Sequence, residues 1–132
     1  KTKEYVIVPD DAEEIKKALI YLCDDLKTDV VFTTGGTGFA PRDVTPEATK
    51  AVLEKEVPGI PEAIRYESLK ITKHAMLSRA AAGIRGNSLV INLPGSPKAV
   101  RESIEIVLPV LPHAVKTLSG DTQNCGGNYD GR

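Results

Sequence analysis

A glycine-rich loop between a β-branched run and a marked helix start most restricts how this chain can fold. The glycine loop, residues 33–43, reads Thr-Thr-Gly-Gly-Thr-Gly-Phe-Ala-Pro-Arg-Asp. It overlaps the run 29–34, whose apolar centre is typical of a buried parallel strand. Thr45 and Pro46 then predict a helix with a hydroxyl cap and a proline in its first turn. A strand at 5–8 and a helix are also predicted before residue 29, and this order of strand, helix and strand predicts an α/β sheet. In such a sheet, ligands bind beyond the carboxyl ends of the strands.

The remaining segments predict an open sheet flanked by helices. Residues 5–8 are β-branched and aromatic and predict a first strand. Asp10 or Asp11 could cap the helix that follows, whose apolar positions recur every three or four residues. These positions are Ile15, Ala18, Leu19, Leu22 and Leu26. Further along, the pattern predicts helices over about 45–56 and 61–70 and a helical turn over 72–77. Strands are predicted over 80–85 and 88–93, joined by a Gly-Asn turn. A helix follows from Ser96-Pro97, with Val100, Ile104, Val107 and Leu108 on its inner face, and a last helix is predicted over about 113–118.

Composition excludes several classes of protein. The 132 residues are 41% hydrophobic and carry a formal net charge of −1, which excludes a disordered chain of high charge. The 17 Lys and Arg residues face 18 Asp and Glu residues, which argues against nucleic-acid binding through bulk positive charge. No apolar run approaches the roughly 20 residues that span a bilayer, and two cysteines cannot form a disulfide framework. We expect a cytoplasmic, single domain over residues 1–120, with no nucleic-acid or membrane partner, and a loosely ordered tail over 121–132.

A second loop, residues 92–98, also leads from a predicted strand into a predicted helix. Glycines let backbone N–H groups approach an anion, and a helix N-terminus adds a favourable dipole. Thr37 and Ser96 could donate hydrogen bonds to phosphate oxygens, while Arg42 and Lys98 could supply positive charge. The spacing matches neither a Walker A loop nor a dinucleotide fingerprint, so each loop taken alone could be an ordinary turn. Two such loops at one predicted sheet edge favour a ligand that bears phosphate.

Two acidic residues and one Ser-Arg pair are candidates for the same edge. A carboxylate such as that of Asp43 is unfavourable beside phosphate unless a metal ion lies between them, and Mg²⁺ uses one or two carboxylates with phosphate oxygens. Asp43 could instead pair with Arg42 or cap the next helix. Asp10 occupies the corresponding place after the first predicted strand, where position alone favours helix capping. Ser78 and Arg79 precede a predicted strand and could face the same edge.

The run of residues 33–49, which continues the glycine loop with Val-Thr-Pro-Glu-Ala-Thr, resembles the signature of the molybdopterin adenylyltransferases. That family includes bacterial Mog proteins, the plant molybdenum-insertion G domain and the gephyrin G domain. The likeness continues through residues 77–86, 90–98 and 108–114. It implies a three-layer molybdopterin-binding fold with an open, mostly parallel sheet. The implied reaction transfers AMP from Mg-ATP to molybdopterin and releases pyrophosphate, a step in molybdenum cofactor biosynthesis.

The resemblance also implies an oligomeric state, a chain start and an assignment of residues. Family members are commonly homotrimers, and they begin with a further strand and helix before the strand at 5–8, so we expect the sheet to lack these here. The family's two essential aspartates fall on Asp10 and Asp43, which revises the capping interpretation of Asp10, and Asp43 would hold Mg²⁺. The expected residues for binding ATP and molybdopterin are Thr34, Gly35, Gly36, Thr37, Gly38, Arg42, Ser78, Arg79, Pro94, Gly95, Ser96 and Lys98.

Two other functions stay open at this point. One is a non-catalytic pterin-binding module or trimeric scaffold, and the other is a nucleotide-binding relative that hydrolyses a different pyrophosphate substrate. A pure scaffold would not need Asp10 together with the Arg42-Asp43 pair, so these residues favour the enzyme.

Overall fold

The computed structural model describes residues 4–120, in which four strands form one open sheet. The strands are β1 (Val30–Thr34), β2 (Lys55–Glu56), β3 (Ala82–Arg85) and β4 (Ser88–Leu93). Their order across the sheet is β1-β4-β3-β2. β1 and β4 are parallel, whereas β3 pairs antiparallel with both β4 and β2. Because Thr34 of β1 lies beside Leu93 of β4, the two loops that follow these strands begin side by side.

Helices cover both faces of this sheet. They are α1 (Ala12–Ile20), which continues as a π-helical turn (Tyr21–Asp25), α2 (Thr45–Val52), α3 (Gly59–Leu69), α4 (Pro97–Val107) and α5 (Leu111–Leu118), with 3-10 turns at Lys73–Leu77 and Leu108–Val110. Within residues 4–120, no helix combines the length and the apolar character needed to cross a bilayer. The predicted tail, with Cys125, lies outside the described residues.

Alternate residues of β4 divide the core into two apolar layers. Val90 belongs to a cluster with Ile15, Leu19 and Cys23 of the first helical segment and with α2. Leu89, Ile91 and Leu93 belong to the second cluster, which contains buried residues of α3 and α4. This division follows from the two-residue period of a strand. It confirms the predicted apolar face of α1 and the arrangement of helices on both faces of the sheet.

Side chains cap the N-termini of two α-helices where the sequence predicts caps. Asp11, rather than Asp10, caps α1, since Asp11 Oδ1 accepts a hydrogen bond from Glu13 N at 2.9 Å. Ser96 Oγ accepts from Ala99 N at 3.2 Å and caps α4, as predicted. Asp10 is therefore left without a capping role.

The predicted strand at residues 5–8 is wrong. These residues pair with no strand in the described part of the chain, and Tyr5 and Ile7 are each 81% exposed. Strand propensity reflects packing and pairing with neighbouring strands rather than a preference of the backbone alone. The β-branched composition of this segment is thus not sufficient to form a strand.

The predicted end of the helix from Thr45 at about residue 56 is also wrong. α2 ends at Val52, and Lys55–Glu56 forms β2 against β3 instead. Glu54 N donates to Ile84 O at 2.8 Å, so the chain is already held along β3 before β2 begins. Lys and Glu favour helices only weakly, and pairing with a distant strand overrides that preference.

Two smaller predictions about helix ends are wrong as well. Val44, not Thr45, is the N-cap of α2, and no side chain caps this end. Thr45 is instead the first helical residue, and its N–H donates to Gly36 O at 3.2 Å. The sequence pattern places Leu108 on the inner face of α4, but the α-helix ends at Val107 and Leu108 is 55% exposed. The 3-10 turn that follows changes the direction in which side chains point.

Candidate functional site

The two loops predicted to share a sheet edge are in contact. Gly35 N donates a hydrogen bond to Leu93 O at 3.0 Å, which ties the end of β1 to the end of β4. A Cβ atom added to Gly95 would lie 3.5 Å from Gly35 Cα, so the loops approach backbone to backbone. This contact confirms that the glycine loop and the second loop form one surface at the carboxyl ends of two parallel strands.

Gly36 has a backbone conformation that fits the loop against α2. Its φ is +71°, in the left-handed region that side chains disfavour, and its carbonyl accepts the hydrogen bond from Thr45 N. A Cβ atom at this position would collide with Thr45 Oγ1. Both the backbone angle and the close approach therefore require glycine here.

We expect Gly36→Ala to destabilise the protein more than Gly86→Ala does. Gly86 also has a positive φ, +60°, but a Cβ atom there would meet nothing within 4 Å. The control substitution should lower the free energy of unfolding by about 1–2 kcal/mol, because alanine is disfavoured in the left-handed conformation. Gly36→Ala should lose roughly a further 1–3 kcal/mol because the methyl group overpacks against Thr45. Urea unfolding of both variants measures the difference, and equal losses would contradict the steric argument.

The Asp43 carboxylate is held by one oxygen and leaves the other available. Asp43 Oδ2 accepts a hydrogen bond from Ala40 N at 3.0 Å, while Oδ1 has no hydrogen-bond partner among residues 4–120. A Cβ atom at Gly38 would lie 3.0 Å from Oδ2, so glycine there leaves room for the carboxylate. Neither structural alternative for Asp43 is observed within the described residues, since Asp43 neither caps α2 nor pairs with Arg42.

Arg42 connects Asp10 to the glycine loop. Arg42 Nε lies 3.8 Å from Asp10 Oδ2, and both side chains are largely exposed. An exposed ion pair of this length contributes little to stability. Its significance is positional, because it shows that the segment before α1 and the glycine loop meet at the same edge. Asp10 and Arg42 are thus close together.

Arg79 is bonded to the glycine loop and to α2. Arg79 N donates to Thr37 O at 2.8 Å, and Nε donates to Gly38 O at 2.8 Å. Nη2 donates to Asp43 O at 2.6 Å, and Nη1 donates to Glu47 Oε2 at 2.5 Å. The last bond lowers the pKa of the Glu47 carboxyl group. Sequence spacing missed Glu47 entirely, because nothing near it in the chain marks it as a partner of Arg79.

The buried side-chain amide of Asn92 forms hydrogen bonds beneath the glycine loop, at the ends of β1 and β4. Asn92 Nδ2 donates to Thr33 Oγ1 at 2.9 Å and to Thr49 Oγ1 at 3.0 Å, and its Oδ1 accepts from Ala81 N at 3.0 Å. The residue is 1% exposed. These bonds join β1, β4, α2 and the segment before β3 at the base of the site. The available sequence signal was an amide within the apolar run 89–93.

The other predicted site residues lie on or beside the two loops. Thr34 is exposed at the end of β1, Thr37 is buried, and Lys98 is exposed in the first turn of α4. Ser96 Oγ accepts the capping bond from Ala99 N, and a hydroxyl in that role can still donate its own hydrogen. Ser78 O accepts from Arg65 Nη1 at 3.2 Å, on the side of α3. Pro94 and Gly95 complete the second loop.

A metal ion at this edge would need oxygen atoms from a ligand. Residues 4–120 contain no group of three or more His, Cys, Asp or Glu side chains that could hold a metal ion. Mg²⁺ differs from most metals in keeping few protein ligands, commonly one or two carboxylates with substrate phosphates. The available Oδ1 of Asp43, beside two glycine-containing loops, fits that kind of site.

Comparisons with known proteins agree with the resemblance in the sequence. A family model described as a probable molybdopterin binding domain matches residues 1–113. A molybdopterin adenylyltransferase of Helicobacter pylori strain J99 is 52% identical over 117 residues, which is 89% of this chain and 66% of that protein. Gephyrin of Dictyostelium discoideum is 53% identical over 84% of this chain and 15% of its own length. This chain thus spans less than two thirds of either relative.

A solved structure confirms the fold. The molybdopterin biosynthesis enzyme MoaB of Thermus thermophilus is 54% identical, with a TM-score of 0.80. The match covers 86% of this chain and 71% of that one. The open sheet flanked by helices is therefore shared with this structure.

Proposed function

The chain belongs to the family of probable molybdopterin binding domains, and on that premise we propose that it acts in molybdopterin adenylyl transfer. In this reaction AMP passes from Mg-ATP to molybdopterin and pyrophosphate leaves. The observation that carries the proposal is the contact between the two glycine-containing loops, with the available oxygen of Asp43 beside them. The name of the Helicobacter relative, at 52% identity, supports the same reaction.

The proposed chemistry needs no nucleophile from the protein. An oxygen of the molybdopterin phosphate forms a bond to the α-phosphorus of ATP, while the bond from that phosphorus to the bridging oxygen breaks and pyrophosphate departs. Both reactants are anionic, so the protein's task is to align them and to offset their charge. Backbone N–H groups of Gly36 and Gly38 would orient phosphate oxygens, whereas the N–H of Gly35 already donates to Leu93 O. Arg42 and Lys98 would supply positive charge.

Asp43 and Asp10 would complete the site. Asp43 would hold Mg²⁺ through Oδ1, since Oδ2 is fixed by Ala40 N. When bound, Mg²⁺ would neutralise charge on the phosphate oxygens. Asp10 would be the second catalytic carboxylate. It lies in the segment before α1, beside the Arg42 guanidinium. Thr34, Thr37, Ser78, Pro94, Gly95 and Ser96 are proposed to line the pockets for ATP and molybdopterin.

Incubating the protein with molybdopterin and Mg-ATP tests the proposal. We expect one pyrophosphate for each adenylylated molybdopterin, measured by an enzyme-coupled assay and by mass spectrometry. Binding of molybdopterin without pyrophosphate release would favour the non-catalytic pterin-binding or scaffold module. Loss of phosphate or pyrophosphate from ATP when molybdopterin is omitted would favour a hydrolase acting on another pyrophosphate substrate.

We further propose that the protein is a cytoplasmic homotrimer. Apolar side chains on α3 and the segment after it are exposed in the single chain, as an interface between copies would require. They include Tyr66, Leu69, Ile71, Met76 and Leu77. Light scattering that gives the mass of a single protomer would contradict the trimer. Because a catalytic and a scaffold protein could both be trimeric, this measurement does not separate the two functions.

A further inference from the structure

We propose that Arg79 is a positioning residue, which fixes the glycine loop and Asp43 for adenylyl transfer without contacting the nucleotide itself. The inference rests on the proposed function for its catalytic part. Its structural part concerns the shape of the loop and can be judged without any substrate.

The bonds of Arg79 reach the middle and the end of the glycine loop. Thr37 O and Gly38 O accept from Arg79 at the start of the loop's turn, and Asp43 O accepts at its end. Glu47 extends the set into the first turn of α2. One side chain and its own backbone N–H therefore fix the distance between the glycines and the Asp43 carboxylate. No other described side chain bonds to both parts of the loop.

The guanidinium group suits this task better than it suits phosphate binding in this arrangement. Three of its five N–H groups, one on each nitrogen, already donate to protein acceptors, so only two remain for a phosphate. Charge-assisted bonds are about twice as strong as neutral ones. A planar fork can bind three acceptors at once, whereas the single ammonium of lysine cannot reproduce this pattern. The side chain is 33% exposed, which partly protects these bonds from solvent.

The backbone on both sides of Arg79 is held by hydrogen bonds to other parts of the fold. Ala81 N donates to the buried Asn92 amide, and Arg65 Nη1 donates to Ser78 O and Ala80 O, each at 3.2 Å. The residues on both sides of Arg79 are thus bonded to β4 and to α3. These bonds hold the backbone on either side of Arg79 in place, so the guanidinium group can hold the loop in a fixed position relative to the sheet.

Arg79→Lys tests the inference, with Arg85→Lys as the matched control. Arg85 makes a similar set of bonds away from the site, since Nε and Nη2 donate to Asp24 and Nη1 donates to Val52 O. In the protein without substrate, we expect amide exchange at residues 36–43 to rise about tenfold in Arg79→Lys and to stay unchanged in Arg85→Lys. Adenylyl transfer should lose roughly tenfold to a hundredfold in kcat in Arg79→Lys, with a change in KM for Mg-ATP of about threefold or less.

The opposite pattern would overturn the inference. A raised KM for Mg-ATP with unchanged kcat and unchanged exchange would mean that Arg79 binds the nucleotide directly. Glu47→Gln keeps an oxygen acceptor for Arg79 but removes the charge, so it should shift exchange and kcat in the same direction by less. If the wild-type protein forms no adenylylated product, the proposed function fails, and exchange alone decides the role of Arg79. Equal exchange at 36–43 in the Arg79 and Arg85 variants would then refute the positioning role.

Discussion

Asp43→Asn is expected to lower kcat for adenylyl transfer by roughly a hundredfold to a thousandfold. Asparagine keeps a side-chain oxygen that can accept the bond from Ala40 N, so the loop should retain its shape. What it loses is the negative charge of Oδ1, the oxygen without a partner in the described residues that we propose for Mg²⁺. Steady-state kinetics with molybdopterin and Mg-ATP measure the loss. Circular dichroism and urea unfolding establish that the fold is retained.

Asp11→Asn is the matched control for this experiment. Asp11 Oδ1 also accepts a backbone hydrogen bond, from Glu13 N at 2.9 Å, and asparagine is an equally good helix cap. The control should keep wild-type activity. Asp43→Ala removes the loop bond as well as the charge and should therefore be at least as impaired as Asp43→Asn. Wild-type turnover in Asp43→Asn would reject the role proposed for this carboxylate.

Asn92→Ala is expected to remove about 3–5 kcal/mol from the free energy of unfolding. The substitution leaves Ala81 N and the hydroxyls of Thr33 and Thr49 without their buried partner. Each unsatisfied buried group costs about 1–3 kcal/mol, and the cavity adds to the loss. The total free energy of unfolding of a small domain is only about 5–15 kcal/mol. The variant should therefore unfold at a much lower urea concentration than the wild-type protein.

Ser103→Ala provides the comparison for Asn92→Ala. Ser103 is equally buried, but its Oγ has no hydrogen-bond partner among residues 4–120. Removing this hydroxyl should change stability by about 1 kcal/mol or less, since no bond is lost. Urea unfolding of the two variants under the same conditions makes the test. An equally small effect of Asn92→Ala would show that the amide network contributes little.

Short-range features of the fold could be predicted from the sequence. The turn at Gly86-Asn87, the cap of α4 by Ser96 and the apolar face of α1 each depend on residues within a few positions of one another. The predicted strand before the glycine loop is also confirmed, because its continuous apolar run is typical of a buried strand. The convergence of the two loops followed from the rule that parallel strands place their carboxyl ends together.

The resemblance, rather than spacing, assigned Asp10 to the site. Position alone favoured Asp10 as a helix cap, whereas Asp11 takes that place and Asp10 lies beside Arg42. Asp10 and Asp11 are adjacent in sequence, and either carboxylate can cap a helix. The choice between them depends on how the segment before α1 lies against the glycine loop, which local propensity does not encode.

The sequence by itself determined the strand, the glycine loop and the start of the helix that follows it, because each is fixed by local sterics, by the proline in the first helical turn or by apolar periodicity. Only the tertiary structure decided that residues 5–8 form no strand, that residues 55 and 56 do, and that Arg79 and Asn92 hold the loop. Arg79 and Asp43 are separated by 36 positions, and Asn92 and Thr33 by 59. Strand pairing and hydrogen bonds over such distances depend on which distant groups the folded chain brings within reach.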